Sequence, residues 1–492
     1  MNMYRPTIEE SRDLVEQGFR TIPISRTILA DVRTPIEVLQ ALMRVDNHCY
    51  ILESIEDRQR WGRYTILGFE PVLEFVCENG FASITERGIT HMFECDDPSN
   101  VIKDIVKRYR SPRLDYLPPF TGGLVGYFSY DYIKYAEPSL KIRAKDDENF
   151  KDVDLMLFDK VIVFDNFRQT ITVITHACYE DIEHSYVRAT AEVERIIDII
   201  NHGKPADHVT ANLRSDFRAM FSEEQYSEMV VKAKDHIHEG DIFQVVLSNR
   251  LEADFDGSLL DVYRVLRTTN PSPYMFYFSG SDIEVAGASP ETLVKLVEGT
   301  LHTFPLAGTR PRGKTDEDDL RLERELLSDE KELSEHNMLV DLGRNDLGKV
   351  SRFGTVEVEK YMEIERFSHV MHIGSTVRGE IREDKDAVDA IEAVLPAGTL
   401  SGAPKLRACQ IIDELEDCKR GIYGGAIGYI DLTGNMDTCI AIRIAYRKKG
   451  KVFVRSGAGI VADSIPANEY RECINKAKAV TEAVRTAAGG LE

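Results

Sequence analysis

From about residue 20 to residue 175 the chain alternates short β-rich runs with turns, and this pattern restricts the fold more than any other. The clearest runs are 75–77, 123–128, 155–158, 161–164 and 170–174. A single helix is predicted over 179–200, followed by a polar, aperiodic stretch at 202–216 that reads as a linker. Beyond 222 strands return at 243–247, 275–277, 293–297, 426–430, 438–445 and 451–456, with helices predicted over 222–239, 316–345, 384–394, 403–416 and 466–487. Strand clusters separated by single long helices are incompatible with regular βαβ alternation. They predict an α+β fold built on large antiparallel sheets. At 492 residues the chain exceeds one simple core, and two domains are expected, about 20–175 and 222–485.

A formal net charge of −22 disfavours nucleic acid and anionic membrane as partners. It would also repel an anionic substrate, so such a substrate needs a basic or metal-lined pocket. No run reaches the roughly 18 apolar residues of a membrane span. The first residues lack the basic and apolar regions of a signal peptide. Eight scattered cysteines without a Cys-x-x-Cys argue against a zinc site or a disulfide framework and fit a reducing cytoplasm. None lies in a Gly-x-Cys-x-Gly elbow, so a glutamine-hydrolysing nucleophile is missing. Residues 398–405 resemble a phosphate loop only superficially, because a proline precedes the lysine.

Two predicted helices each carry a Glu-x-x-Glu pair, Glu332 with Glu335 and Glu469 with Glu472, which puts both carboxylates on one helical face. Two such pairs together would suit a hard cation such as Mg²⁺. For either pair alone, solvated helix surface is the simpler reading. Asp329 is a candidate helix cap, with Glu332 closing a capping box, so Glu335 is weighted above Glu332 as a ligand. On the last helix Tyr470, Cys473, Ile474, Ala477 and Val484 form an apolar stripe with Glu469, Glu472 and Lys476 beside it.

Glycine-rich segments at 306–310, 398–399, 421–425 and 456–459 read as tight turns whose exposed amides could also bind anions. Arg443 lies in a run read as an apolar strand and needs a partner, either a ligand carboxylate or an internal acid. His372 is a candidate general acid or base, with a structural role the alternative.

In order along the chain, Ser289-Pro290-Glu291, residues 305–310, 332–336, 341–346, 398–405 and 456–476 resemble the motifs of the chorismate-binding enzymes, nearest their anthranilate-forming members. The resemblance implies that family's composite fold, with a regulatory domain at 20–175 and a catalytic one at 222–485. By it, Glu335 and Glu472 ligate Mg²⁺ with Glu332 and Glu469 in support. Gly308, Thr309, Thr399, Tyr423, Arg443, Gly457, Ala458 and Gly459 bind chorismate. Glu291 is the general acid, Lys476 its charge partner, and His372 handles protons. Water-adding members carry a lysine base where this chain has Gln244; ammonia needs no such base, so glutamine fits amination. Many aminodeoxychorismate synthases, the nearest alternative, use a lysine nucleophile where this chain has Ala307. A second alternative, a non-catalytic amino-acid sensor, has no need of the glutamate pairs, Glu291 and His372. The resemblance further implies a separate glutamine amidotransferase subunit as ammonia source. It also implies tryptophan feedback inhibition through Ser54, Pro273, Tyr274 and Met275, although Ile51 stands where relatives often have leucine.

Overall fold

A computed structural model describes residues 4–54, 62–207, 209–366 and 370–490. Among them the strands form two antiparallel sheets, one of 13 strands and one of 12. The first runs from Thr21–Leu29 through Thr170–Cys178, Val161–Asp165, Tyr64–Phe69, Cys49–Glu53, Tyr274–Ser279, Glu284–Ser289, Ile444–Lys448 and Lys451–Ile460 to Gln244–Asp256 and the short Asn212–Leu213. The second runs from Leu306–Pro311 through Val370–Glu380, Thr300–Thr303, Thr292–Val297, Met436–Ile440, Ala426–Asp431, Gly123–Phe128, Val153–Phe158, Leu73–Glu78 and Phe81–Glu86 to Ile89–Glu94.

Both sheets draw strands from both halves of the sequence. The halves join where Glu53 faces Met275 in the first sheet and where Gly126 faces Gly428 in the second.

The period-two alternation of the strands sorts their side chains into layers. Tyr50, Phe276 and Phe278 of the first sheet pack with Val125, Tyr127, Met156 and Phe158 of the second, forming the core between the sheets. Ile51, Met275 and Tyr277, one position out of phase, face helices Pro35–Met43, Ile182–His202, Leu260–Thr269 and Pro466–Ala488. On the outer face of the second sheet, Leu73, Phe75, Leu155 and Leu157 share a core with residues of helices Pro98–Arg108, Glu330–Gly348 and Ala387–Val394. Each such side chain contributes about 1.5–3 kcal/mol of burial energy. Antiparallel sheets packed together with helices outside are the architecture the sequence predicts.

Three predicted elements differ in ways that shape the site. The helix predicted over 316–345 is two helices, Asp316–Leu327 and Glu330–Gly348, because Asp329 accepts hydrogen bonds from the amides of Lys331 and Glu332 and starts a new one. The strand predicted over 438–445 is also two. Met436–Ile440 belongs to the second sheet and Ile444–Lys448 to the first, so the chain crosses between sheets at 441–443. Residues 456–459, predicted as a turn, continue the strand Lys451–Ile460. Among the described residues no helix is long and apolar enough to cross a membrane, and all eight cysteines are free thiols.

Candidate active site

A cavity of about 790 Å³ lies between one end of the first sheet and the helices Glu330–Gly348 and Pro466–Ala488. Its sheet side begins with the strand Lys451–Ile460, paired to Gln244–Asp256 with Gly457 opposite Ser248 and Gly459 opposite Val246. Alternation turns Ala458 away, into a cluster with Leu247, Ile460 and Cys473, while Gly457 and Gly459 line the cavity. A Cβ on Gly457 would stand 2.6 Å from the Leu247 carbonyl oxygen and 3.0 Å from the Tyr423 hydroxyl. One on Gly459 would stand 2.9 Å from Nε2 of Gln244, so the Gln244 amide lies against that glycine. Among the described residues the Gln244 Oε1 is buried without a hydrogen-bond partner, an acceptor in want of a donor.

Glu291 stands at the corner that ends the strand Glu284–Ser289. The Ser289 hydroxyl donates to the Ile440 carbonyl at 2.6 Å, and the Glu291 carbonyl accepts from the Ile440 amide at 2.9 Å. Thr399, on the turn Gly398–Leu400, donates its hydroxyl to Oε1 of Glu291 at 3.2 Å. Burial pushes the Glu291 carboxyl up to about 7, against the opposing pull of Thr399, Arg443 and Lys476.

Arg443 departs from its sequence reading. It lies at the crossing between the sheets, is exposed, lines the cavity, and adopts φ 52°. That left-handed backbone costs an arginine on the order of 1–2 kcal/mol and swings the chain out of the strand. A buried strand arginine nearby is Arg455, 2 % exposed and paired with Glu416 at 2.9 Å.

The helix side presents Lys331, Glu335 and Leu339, four residues apart on one face, opposite Asn468, Glu469, Glu472, Asn475 and Lys476. Glu335 is half-buried and makes no hydrogen bond or ion pair among the described residues. Burial raises its pKa, and Glu332 and Glu472 raise it further against Lys331 and Lys476. Glu469 is likewise raised, first by burial, then by Glu472, against a hydrogen bond from Ser464. Carboxylates from two helices, all oxygen and facing one cavity, with Glu335 making no ion pair among the described residues, fit a hard divalent cation. Glu332 is turned differently. Its carboxylate lies 3.5 Å from Arg310, which also binds Asp329 at 3.0 Å, and the capping box with Asp329 does not form. Lys476 pairs with Glu472 at 2.8 Å, and Glu291 feels its charge only at longer range.

Gly308, Thr309 and His372 sit together beside the cavity, whose lining in this strand is Leu306 and Ala307. His372 lies opposite Thr309 across the strand pair; its Nδ1 is 2.8 Å from the Gly308 carbonyl and 3.1 Å from the Thr309 hydroxyl. The carbonyl contact puts the proton on Nδ1, and burial holds the imidazole pKa below its ordinary value. Gly308 adopts φ 62° at a register shift in the strand, a conformation open to glycine at little cost.

The proposed inhibitor residues lie along the seam of the first sheet. Ser54 follows Cys49–Glu53, and its hydroxyl is buried without a hydrogen-bond partner among the described residues. Met275 is buried opposite Glu53, whose carboxylate is bound by Tyr263 and Arg267 at 2.5 Å each. The Tyr274 hydroxyl is held by Thr292 and Asp437 at 2.8 Å each. Pro273 is half-buried, and the catalytic cavity reaches Asn270 of the same segment. Lys331, Asn468 and Asn475 escaped sequence reading, although counting helical turns from Glu335 and Glu472 finds them all.

Residues 47–482 match the family described as chorismate binding enzymes. The chain is 45% identical over 493 residues to anthranilate synthase component 1 of Acetivibrio thermocellus, covering 99% of each. It is 45% identical to the protein of that name from Pseudomonas aeruginosa, covering 98% of this chain and 99% of the other. The crystal structure of anthranilate synthase component I from Streptococcus pneumoniae superposes with a TM-score of 0.75 at 40% identity, over 92% of this chain and 99% of that one. The menaquinone-specific isochorismate synthase of Escherichia coli, 19% identical with a TM-score of 0.69 over 97% and 98% of the two chains, shares the fold.

Proposed function

The chain belongs to the chorismate-binding enzymes, and we propose that it converts chorismate and ammonia to anthranilate and pyruvate as the large subunit of an anthranilate synthase. One observation carries the reading. A single cavity brings Glu291, with a pKa near 7, together with Gln244 and Arg443, opposite the carboxylates of two helices.

Arg443 and the bare backbone at Gly457 and Gly459 receive the enolpyruvyl carboxylate, while Tyr423 and Thr399 wall the ring. Glu335 and Glu472 would hold Mg²⁺, with Glu469 and Glu332 in support. Bound there, the ion supplies positive charge for the ring carboxylate, which a chain of net charge −22 otherwise repels. Glu291, protonated below about pH 7, gives its proton to the C4 hydroxyl, which leaves as water. Ammonia, oriented by an N–H donated to Oε1 of Gln244, forms the new C–N bond at C2. Loss of the C2 proton expels the enolpyruvyl group, which takes up a proton to become pyruvate, and the ring becomes aromatic. Neutral His372, backed by Gly308 and Thr309, serves this later proton handling. Lys476 tempers both Glu472 and Glu291.

The ammonia comes from a separate glutamine amidotransferase subunit in the cytoplasm. Tryptophan binds at the seam, where the unpartnered Ser54 hydroxyl offers it a hydrogen bond. The test is the purified chain with chorismate, Mg²⁺ and an ammonium salt at alkaline pH, followed by anthranilate fluorescence. Isochorismate or aminodeoxychorismate as product would refute the reaction.

A further inference from the structure

Beneath the sheet side of the cavity lies a charged group that no step above uses. Arg420 is 2 % exposed and follows the helix Lys405–Glu416. Its Nη1 donates to the Leu400 carbonyl at 2.6 Å, and its Nη2 to the Val246 carbonyl at 2.7 Å. Nε and Nη2 also grip Glu416, at 3.0 and 2.5 Å. Its guanidinium lies 4.6 Å from the Tyr130 ring centroid and 5.9 Å from that of Tyr423. Glu416 is anchored in turn by the Ser248 amide at 2.7 Å and by Arg455 at 2.9 Å.

Three of the groups around Arg420 are joined to reacting ones. Leu400 follows Thr399, whose hydroxyl bonds Glu291. Val246 is two residues from Gln244 on the same strand. Tyr423 stands over Gly457. The planar fork of donors meets the first two of these, which are far apart in sequence, and the same guanidinium lies 5.9 Å from the ring of the third, Tyr423.

We propose that Arg420 is a positioning residue for the reaction: it locks the Thr399 turn, the Gln244 strand and Tyr423 into one rigid wall behind Glu291. The inference rests on Glu291 acting as the general acid. Lysine is a poor substitute, because a point charge that pairs with Glu416 cannot also hold two carbonyls in fixed directions.

The pH profile of kcat/KM for chorismate, at constant free ammonia, separates positioning from mere folding. The charged groups acting on Glu291 are Arg443 and Lys476, and none of the substitutions below alters them. The Thr399 hydrogen bond lowers the Glu291 pKa, so losing it keeps the acid protonated to higher pH. Thr399→Val should move the alkaline limb up by about 0.5 in pH. Arg420→Lys should move it the same way with a roughly 10–100-fold fall in kcat, and the double variant should go no further than Thr399→Val. Glu416→Gln, which loosens Arg420 without removing it, should produce a smaller shift and stands in if Arg420→Lys does not fold. An alkaline limb that stays fixed in folded Arg420→Lys or Glu416→Gln overturns the proposal, as does a fixed limb in Thr399→Val. Wild-type chain that makes no anthranilate rejects the reaction itself, a result distinct from an active enzyme whose limb does not move.

Discussion

On the sheet side of the cavity the candidate reactive groups are fixed by bonds already made, whereas the carboxylates on the helix side stand on two separate helices. Of Glu335, Glu469 and Glu472, only Glu472 has an ion-pair partner among the described residues, Lys476. Glu291 is held at a corner by the Ser289 and Ile440 bonds and is touched by Thr399. Gly457 and Gly459 are locked in a paired strand. Across the cavity Glu335 makes no bond, and Glu472 is half-exposed against Lys476. One side is preorganised; on the proposed reading the other would be completed by a cation. An enzyme gains most from groups that need no rearrangement in the transition state, so the two sides should fail differently when altered.

The largest effect is expected where nothing substitutes for a lost charge. Glu335→Gln should abolish anthranilate formation, by at least about 10³-fold, and raising Mg²⁺ should not restore it. Chelation of wild-type enzyme should be equally severe but reversible. Fluorescence that survives in Glu335→Gln would detach the metal from this helix.

Next is the preorganised acid. Glu291→Gln should lower kcat by about 10²–10⁴-fold while chorismate still binds. In wild-type enzyme, kcat/KM at fixed free ammonia should fall as pH rises through about 7, because the carboxyl must be protonated to act. A profile that rises through that range would remove Glu291 from the acid role.

A smaller effect should come from Arg443→Lys. Loss of a bidentate grip on a carboxylate costs roughly 1.5–3 kcal/mol, so KM should rise about 10–100-fold with a lesser change in kcat. Equal loss in both would mean that the strained backbone at this position, rather than the guanidinium, carries the effect.

The same contrast explains what the sequence disclosed. Helix-side groups were legible because spacing alone assigns a face: Glu335 and Glu472 were placed by counting turns, and Lys331 and Asn475 fall to the same count. Sheet-side groups such as Glu291 and Gln244 were named only through the family resemblance, because strand pairing is non-local and register decides what faces the cavity. Residues 456–459 read as a turn because glycine is common in turns. The physical reason for those glycines is the Leu247 carbonyl at 2.6 Å and the Gln244 amide at 2.9 Å, both on a strand some two hundred residues away. Arg443 read as a buried strand arginine for the same reason, since it follows an apolar run, as Arg455 does. Only the crossing between sheets exposes Arg443 and buries Arg455. The architecture was legible from strand clustering, but the sharing of both sheets by the two halves was not, because no local pattern encodes a seam. Local signals were also passed over: the Thr7–Glu10 and Thr34–Glu37 capping boxes start helices Ile8–Glu16 and Pro35–Met43.

The seam yields the prediction with the least expected change in catalysis. Ser54 contributes to neither side of the cavity, so Ser54→Phe should leave kcat and KM within about twofold, as for a substitution remote from the chemistry. Its buried hydroxyl has no hydrogen-bond partner among the described residues, and a phenyl ring there removes the donor and fills the space around it. Tryptophan should therefore lose its grip, with the concentration for half-inhibition rising by at least about tenfold, the equivalent of one or two lost contacts. Inhibition curves for the two proteins at equal chorismate decide it. Wild-type enzyme indifferent to tryptophan would remove the inhibitor from this seam. A variant that is still inhibited normally would move the inhibitor away from Ser54. A variant equally defective in chorismate turnover would show that the seam and the sheet side of the cavity act as one rigid unit, which their shared segment at Asn270 permits.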